Sequence, residues 1–496
     1  MGNHDTFLLD RSKADLLEAF TDAGAAVERI TELYSDAVAK LRRSFAGFTD
    51  GSRRAGEATA ECRYPYVAFE IGPDDMHSGQ PRPHAAYGHL DSTGLYGSTV
   101  TRPDIFSRYF RYQIALIMET HGKPVWVGRS MVPMPLPFAV DTADAGLSYS
   151  DMTALKTEFP FPDLSRIEDR VPNGLHIPKP GVQKPLALFS AQRVDFSLMR
   201  LKHYTGTSPR YFQDYVLFTN YQRYIDTFIA NASAALRKPG GRFVSLIGPG
   251  DEVLADVSGC RQSDMRMPQM PAYHLVGAGG ANGITIVNIG VGPSNAKTLT
   301  DHLAVMRPHC WIMVGHCGGL RETQRLGDYV LAHAYVRADH VLDADLPAWV
   351  PVPPIAEVQT ALADSVRRMS GLDSDAVKTI LRTGTVFTTD DRDWELRRDD
   401  LAVMFNQSRA IAVDMESATI AANGYRFRVP YGTLLCVSDK PLHHEPKLPG
   451  MANAFYDAQV ARHLLIGMET LEALHAGGPE KLHSRKLRSF DEPAFR

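Results

Sequence analysis

Asp414-Met415-Glu416-Ser417-Ala418, and then, after the apolar run Gly432 to Val437, Ser438-Asp439-Lys440-Pro441, form the stretch that decides how this chain folds. The apolar run Ala410 to Val413 leads into the first signature, and a helical pattern, Met415 to Arg426, leads out of it. One βα unit thus sets a carboxylate at the start of a helix and another at the end of a strand, the edge where open α/β sheets hold ligands. A polar ligand with ring nitrogens and hydroxyls suits such a pair.

The same alternation extends back to Arg242. Short β-type runs at Phe243 to Ile247, Ile284 to Ile289, Cys310 to Val314, Tyr329 to Val336, Thr385 to Phe387 and Thr433 to Val437 are separated by helical patterns at Ser294 to Met306, Ile355 to Met369 and Ala452 to Leu474. Strands alternating with helices predict an α/β domain with a mixed, mostly parallel sheet flanked by helices. Ahead of it, Pro209 to Leu236 reads as one or two aromatic-rich helices. Prolines crowd the stretch from Met131 to Pro185, where each removes a backbone donor and restrains its predecessor, so a domain boundary is expected there.

The N-terminal region reads as a smaller α+β domain. It opens with a helix from Asp22 to Phe45, whose apolar stripe is Val27, Ile30, Tyr34, Ala37, Leu41 and Phe45. β-type runs follow at Tyr64 to Ile71, Phe110 to Met118 and Val125 to Val127, the last two read as a hairpin. The expected layout is therefore residues 1–180 as the α+β domain, 181–240 as linker and helical segment, 241–478 as the α/β domain and 479–496 as a polar tail.

With 496 residues, 44% of them hydrophobic and 22% charged, the chain has the composition of a soluble protein of about two domains. A net charge of -4 offers no polybasic surface for nucleic acid. The first residues lack a signal-peptide pattern and no window of about 18 uninterrupted apolar residues exists, so a cytoplasmic protein without membrane partners is expected. Cys62, Cys260, Cys310, Cys317 and Cys436 are scattered and odd in number, which favours free thiols. His309-Cys310, His316-Cys317 and His443-His444-Glu445 lack zinc-site spacing, and no metal is expected.

Two glycine-rich segments join the acidic signatures. Ile289-Gly290-Val291-Gly292-Pro293-Ser294-Asn295 leaves a strand and enters a helix, with Ser294 placed to cap it. Exposed N–H groups there would attract an anion, although a tight turn with an ordinary serine cap explains the pattern equally well. Val314-Gly315-His316-Cys317-Gly318-Gly319 reads as a second strand exit, either a close approach for a ligand or a turn needing positive φ. Asp414 could be a plain N-cap and Glu416 a first-turn acid drawn by the helix dipole. Asp439 emerges from an apolar strand, where desolvation would raise its pKa and make it a usable general acid, or it caps a turn. Arg261, Arg266, Arg321, Lys440 and Lys447 lie in the surrounding loops, where one or two are expected to meet a ligand.

In order, Gly290 to Ser294, Val314 to Gly318, Val413 to Ser417 and Val437 to Asp439 resemble the nucleoside phosphorylase and nucleosidase superfamily. Within it the chain resembles the AMP nucleosidases, through Arg200 to Thr207, Phe218 to Tyr224, Gly315 to Arg321, Thr388 to Trp394, Ser438 to His443 and the large preceding domain. The resemblance implies a phosphorylase-like catalytic fold and hydrolysis of the N-glycosidic bond of AMP to adenine and ribose 5-phosphate. It implies Asp439 as donor to adenine N7, Glu416 on the ribose hydroxyls, Met415 under the sugar, and Phe387 or Trp394 against the base. It further implies Ser438, Gly290, Ser294, His316 and Gly318 at the substrate and Arg266 at a phosphate subsite.

No tightly bound cofactor is implied, but an ATP (MgATP) activator, phosphate as inhibitor, a regulatory N-terminal domain and a homohexamer are. The rival readings are a phosphate-dependent purine nucleoside phosphorylase and a non-catalytic nucleotide sensor. Against the first, the phosphorylases' arginine before the Val-Gly-Ser loop and the one after an early Gly-Asp are matched by Met313 and by Leu254 or Ala255.

Overall fold

The computed structural model describes residues 13–52, 61–77, 87–140, 149–179, 181–254, 267–443, 453–482, 487–488 and 492–496. The chain divides into two compact units, Met1–Met199 with Arg488–Arg496, and Arg200–Leu487.

The first unit contains β1 (Ala14–Phe20), α1 (Ala23–Thr49), β2 (Arg63–Ile71), β3 (Gly94–Thr99), α2 (Pro103–His121), β4 (Val125–Pro133), the short α3 (Leu136–Ala139), α4 (Tyr149–Glu158) and β5 (Lys184–Pro185). Its sheet runs β1-β4-β2-β3-β5, antiparallel except for β3 with β5. α1 forms where its apolar stripe demands: Val27, Ile30, Ala37, Leu41 and Phe45 are buried, and Asp22 caps it by accepting from Ala25 N at 2.8 Å. The hairpin expected at Phe110 to Val127 is instead α2 followed by β4. Phe106, Phe110, Gln113, Ile114 and Ile117 bury one helical face, a three-and-four spacing that overrides their β propensity. The chain's end is no loose polar tail: Ala494 and Phe495 are buried, and Phe495 N donates to Leu186 O at 3.0 Å.

α5 (Ala191–Thr205) spans the division between units. The second unit then holds β6 (Tyr215–Thr219), α6 (Gln222–Leu236), β7 (Phe243–Gly248), β8 (Glu252–Val253), β9 (Ala272–Gly277), β10 (Gly280–Asn288), α7 (Pro293–Leu303), β11 (Cys310–Gly319), β12 (Tyr329–Ala338), α8 (Ala356–Ser370), β13 (Leu381–Thr389), α9 (Arg398–Ser408), β14 (Ala410–Asp414), α10 (Ser417–Phe427), β15 (Tyr431–Asp439) and α11 (Asn453–Gly477). The segment expected to be helical from Pro209 contains a strand: Tyr215 to Thr219 are all buried, as a strand covered on both faces must be.

The strand order is β14-β13-β12-β15-β11-β6-β10-β9-β7-β8, and β14 also pairs with β11. β15, β11, β6 and β10 form one parallel block and β12, β13 and β14 another. The blocks meet antiparallel at β12/β15 and at β14/β11, so five strands close into a ring. α11 packs on β6, β11 and β15 beside α6 and α8, while α10 packs with α7 and on β12, β13 and β15. No helix among the described residues is long and apolar enough to cross a membrane.

Candidate active site

Ring closure brings the two acidic signatures together. Gly318 of β11 lies opposite Val413 of β14 on one side and Asp439 of β15 on the other. The segment Gly315 to Gly319 is therefore strand rather than a turn with positive φ. Its glycines serve packing: a β-carbon at Gly318 would lie 3.1 Å from Val413 Cγ1, and one at Gly315 would lie 2.7 Å from Met313 Cε and 3.3 Å from Asn220 Oδ1.

Glu416 is the hub. Its side chain is no surface acid on a helix dipole; the residue is 1% exposed and reaches across to two other motifs. Gly292 N donates to Oε1 at 2.6 Å, and Asn220 Nδ2, just past β6, donates to Oε2 at 3.0 Å. Gly290 and Gly292 adopt φ of 66° and 114°, which lets the loop turn its N–H groups toward the carboxylate. Burial, with Asp414 adding repulsion, pushes the Glu416 pKa up to about 8, against the lowering effect of the Gly292 and Asn220 donors. The Met415 backbone also hydrogen-bonds this carboxylate, which keeps a lone pair for a ligand O–H.

Asp414 faces inward instead. Thr388 Oγ1 donates to Oδ1 at 2.6 Å, Ser417 N donates to Oδ2 at 2.9 Å, and the Ser417 hydroxyl donates to the same oxygen. Thr388 Oγ1 in turn accepts from Ala418 N at 3.0 Å, so β13 and the first turn of α10 are tied through one buried carboxyl. Burial raises the pKa of Asp414 too, offset in part by Ser417 and Thr388. Met415, between these two buried acids, is half-exposed.

Asp439 ends β15 half-buried, so the apolar strand's dry environment stops one residue short, at Ser438. Ser438 Oγ donates to Asp439 Oδ1 at 2.5 Å. Phe387 is fully buried against Phe405, with Trp394 on the same ring, in a cluster that includes Leu320 and Val413. Trp394 Cζ2 lies 4.0 Å from where a Gly318 β-carbon would stand, so this cluster backs the strand ends. His316 is packed against the rings of Tyr221 and Tyr224, at 4.8 and 5.6 Å between centroids.

Ser294 does not cap α7: Gly292 holds the cap position, Pro293 takes the first turn, and Ser294 is exposed one residue further on. Arg261, Arg266, Lys447 and Cys260 lie outside the described residues. Lys440 is buried and donates to Glu322 O at 3.1 Å. Arg321 lines a separate hollow of about 500 Å³ with Lys378 and Arg382, at the end of β13 remote from Thr388. Leu254 follows the short β8 at the far edge of the sheet, whereas β6 carries Asn220 to Glu416. Cys62, Cys310, Cys317 and Cys436 are buried thiols in no disulfide, and no His/Cys/Asp/Glu cluster suited to a metal occurs among the described residues.

Two residues that sequence reasoning leaves out of the site are Asn220 and Thr388. Both belong to motifs legible in the chain, Phe218 to Tyr224 and Thr388 to Trp394, but only the strand order shows what they touch.

Residues 273–472, which hold the closed ring of strands with its glycine loop and paired acids, match the model of the phosphorylase superfamily. Residues 25–183 match a second model, the bacterial AMP nucleoside phosphorylase N-terminus. Curated proteins named AMP nucleosidase from Escherichia coli strain K12 and from Escherichia coli O157:H7 are each 48% identical over 477 residues, 95% of this chain and 98% of theirs. The chain belongs to the AMP nucleosidase family. A solved AMP nucleosidase from Bacteroides thetaiotaomicron VPI-5482 is 27% identical, covering 57% of this chain and 98% of its own, with a TM-score of 0.42.

Proposed function

We propose that this protein hydrolyses the N-glycosidic bond of AMP, releasing adenine and ribose 5-phosphate. The observation that carries the reading is the anchoring of Glu416 by Gly292 N and Asn220 Nδ2, in a chain with near-full-length likeness to AMP nucleosidases. These donors orient the carboxylate, and its remaining lone pair suits a ribose hydroxyl. Bond cleavage develops positive charge on the sugar, which the Glu416 carboxylate stabilises. Asp439, oriented by Ser438, supplies the proton that adenine N7 takes as the C1′–N9 electron pair leaves.

Water rather than phosphate is the nucleophile in this reading. Met313, at the place of a phosphorylase arginine, is wholly buried and apolar, and offers phosphate nothing. In this reading the first unit serves regulation, with MgATP as activator and phosphate as inhibitor, and the chain acts as a cytoplasmic homohexamer. Incubation with AMP in phosphate-free buffer, with MgATP present, should yield equimolar adenine and ribose 5-phosphate by chromatography. Phosphate-dependent cleavage of adenosine with no release from AMP would overturn the reading in favour of a phosphorylase.

A further inference from the structure

Asn220 carries more than a hydrogen bond. Because Glu416 accepts at Oε2, the amide must turn Nδ2 toward it, which sends Asn220 Oδ1 the other way. That oxygen is buried and has no hydrogen-bond partner among the described residues. An unsatisfied buried acceptor costs about 1–3 kcal/mol, a cost that a donating ligand removes. A β-carbon on Gly315 would crowd this oxygen at 3.3 Å, and Met313 Cε stands 2.7 Å from that same position.

Strand order says which O–H belongs there. β11 lies between β15, which ends in Asp439, and β6, which delivers Asn220. The general acid and the free amide oxygen therefore flank the carboxyl end of β11 from opposite sides. A nucleophile replacing a base that departs on the Asp439 side enters from the other. With the spare lone pair of Glu416 given to ribose, Asn220 Oδ1 is a buried acceptor on that side with no partner among the described residues.

We propose that Asn220 holds the attacking water through Oδ1 while orienting Glu416 through Nδ2, an inference that rests on the hydrolytic reading above. The C1′–N9 bond breaks, and its electron pair leaves with adenine as N7 takes the Asp439 proton. The water oxygen forms the C1′–O bond and releases its proton to solvent, from which Asp439 is reprotonated.

The test compares wild type with N220A, N220L and the isosteric N220D, on AMP and on 2′-deoxy-AMP, in water and in water–methanol, with melting curves for each. The expected result is a kcat loss of about 10²-fold or more in every variant with KM raised less than tenfold. The loss should be equal on the two substrates. The wider site of N220A should give a larger methyl riboside fraction than wild type, and the filled site of N220L should not. Unchanged kcat in folded N220A or N220D overturns the proposal. So does a loss that vanishes on 2′-deoxy-AMP, which would assign Oδ1 to the 2′-hydroxyl. Failure of wild type to release adenine from AMP would instead refute the hydrolytic reading itself.

Discussion

Replacing Glu416 by Gln is the most searching perturbation of this site. The carboxylate presents an acceptor to Gly292 N at 2.6 Å and another to Asn220 Nδ2 at 3.0 Å. An amide has one oxygen and one NH2, so whichever way it turns, one of those donors meets a donor. The side chain is fully buried, so bulk water does not relieve the clash. Losing a hydrogen bond to a charged group removes about 1.5–3 kcal/mol, and the stranded donor adds about 1–3 kcal/mol. If the transition state feels about 3–5 kcal/mol of this, together with the missing negative charge, kcat/KM falls by about 10²–10⁴ at 1.4 kcal/mol per decade.

The same substitution has a pH signature. The Glu416 carboxyl titrates near 8 in the folded protein because burial and Asp414 disfavour its charge. If the carboxylate is the active form, wild-type kcat/KM should climb toward pH 8 and level above it, a rise absent from E416Q. Stability runs the other way. The folded state keeps a proton that the unfolded chain sheds near its ordinary value of 4.5, so wild type loses stability relative to E416Q as pH rises from about 4.5 to 8. Adenine-release kinetics and urea denaturation across that range check both halves. A kcat/KM within threefold of wild type, or the same pH profile in both proteins, would refute the reasoning.

Three further outcomes are expected. Asp439→Asn should lower kcat by about 10²–10⁴ while AMP binding by equilibrium dialysis is nearly unchanged, and unaltered turnover would remove Asp439 from the acid role. Thr388→Val keeps the shape but takes a donor from Asp414 Oδ1 and an acceptor from Ala418 N; urea denaturation should show a loss of about 2–5 kcal/mol, and one under about 1 kcal/mol would mean that the tie is slack. Gly315→Ala places a methyl 3.3 Å from Asn220 Oδ1 and 2.7 Å from Met313 Cε; the methionine can yield, so the protein should melt within a few degrees of wild type yet release adenine about tenfold more slowly.

What is legible in the sequence is whatever is local. Strand, acid and helix follow one another within Ala410 to Phe427, and Asp439 terminates an apolar run, so residue order alone places both carboxylates at strand ends. α2 and β6 depart from the sequence expectation for one shared reason: short apolar, aromatic runs satisfy strand and helix patterns alike, and only neighbours decide. The glycines from Gly315 to Gly319 stand out as a feature but not as strand, because their cause is crowding by Met313, Val413 and Val437 rather than backbone φ.

The least legible link is the antiparallel contact between β14 and β11. Nothing in either segment marks the other as partner, yet Gly318 opposite Val413 and Asp439 is what makes one site of two acidic signatures. Without that contact, the Asp414–Glu416 signature would sit at a free sheet edge. Glu416 would then lack the positions of Gly292 and Asn220 across from it, and an acid with a pKa near 4.5 would cap a helix in water. The chemistry thus depends on a long-range closure: it buries Glu416, raises its pKa, and supplies the two N–H groups that fix it where a ribose can meet it.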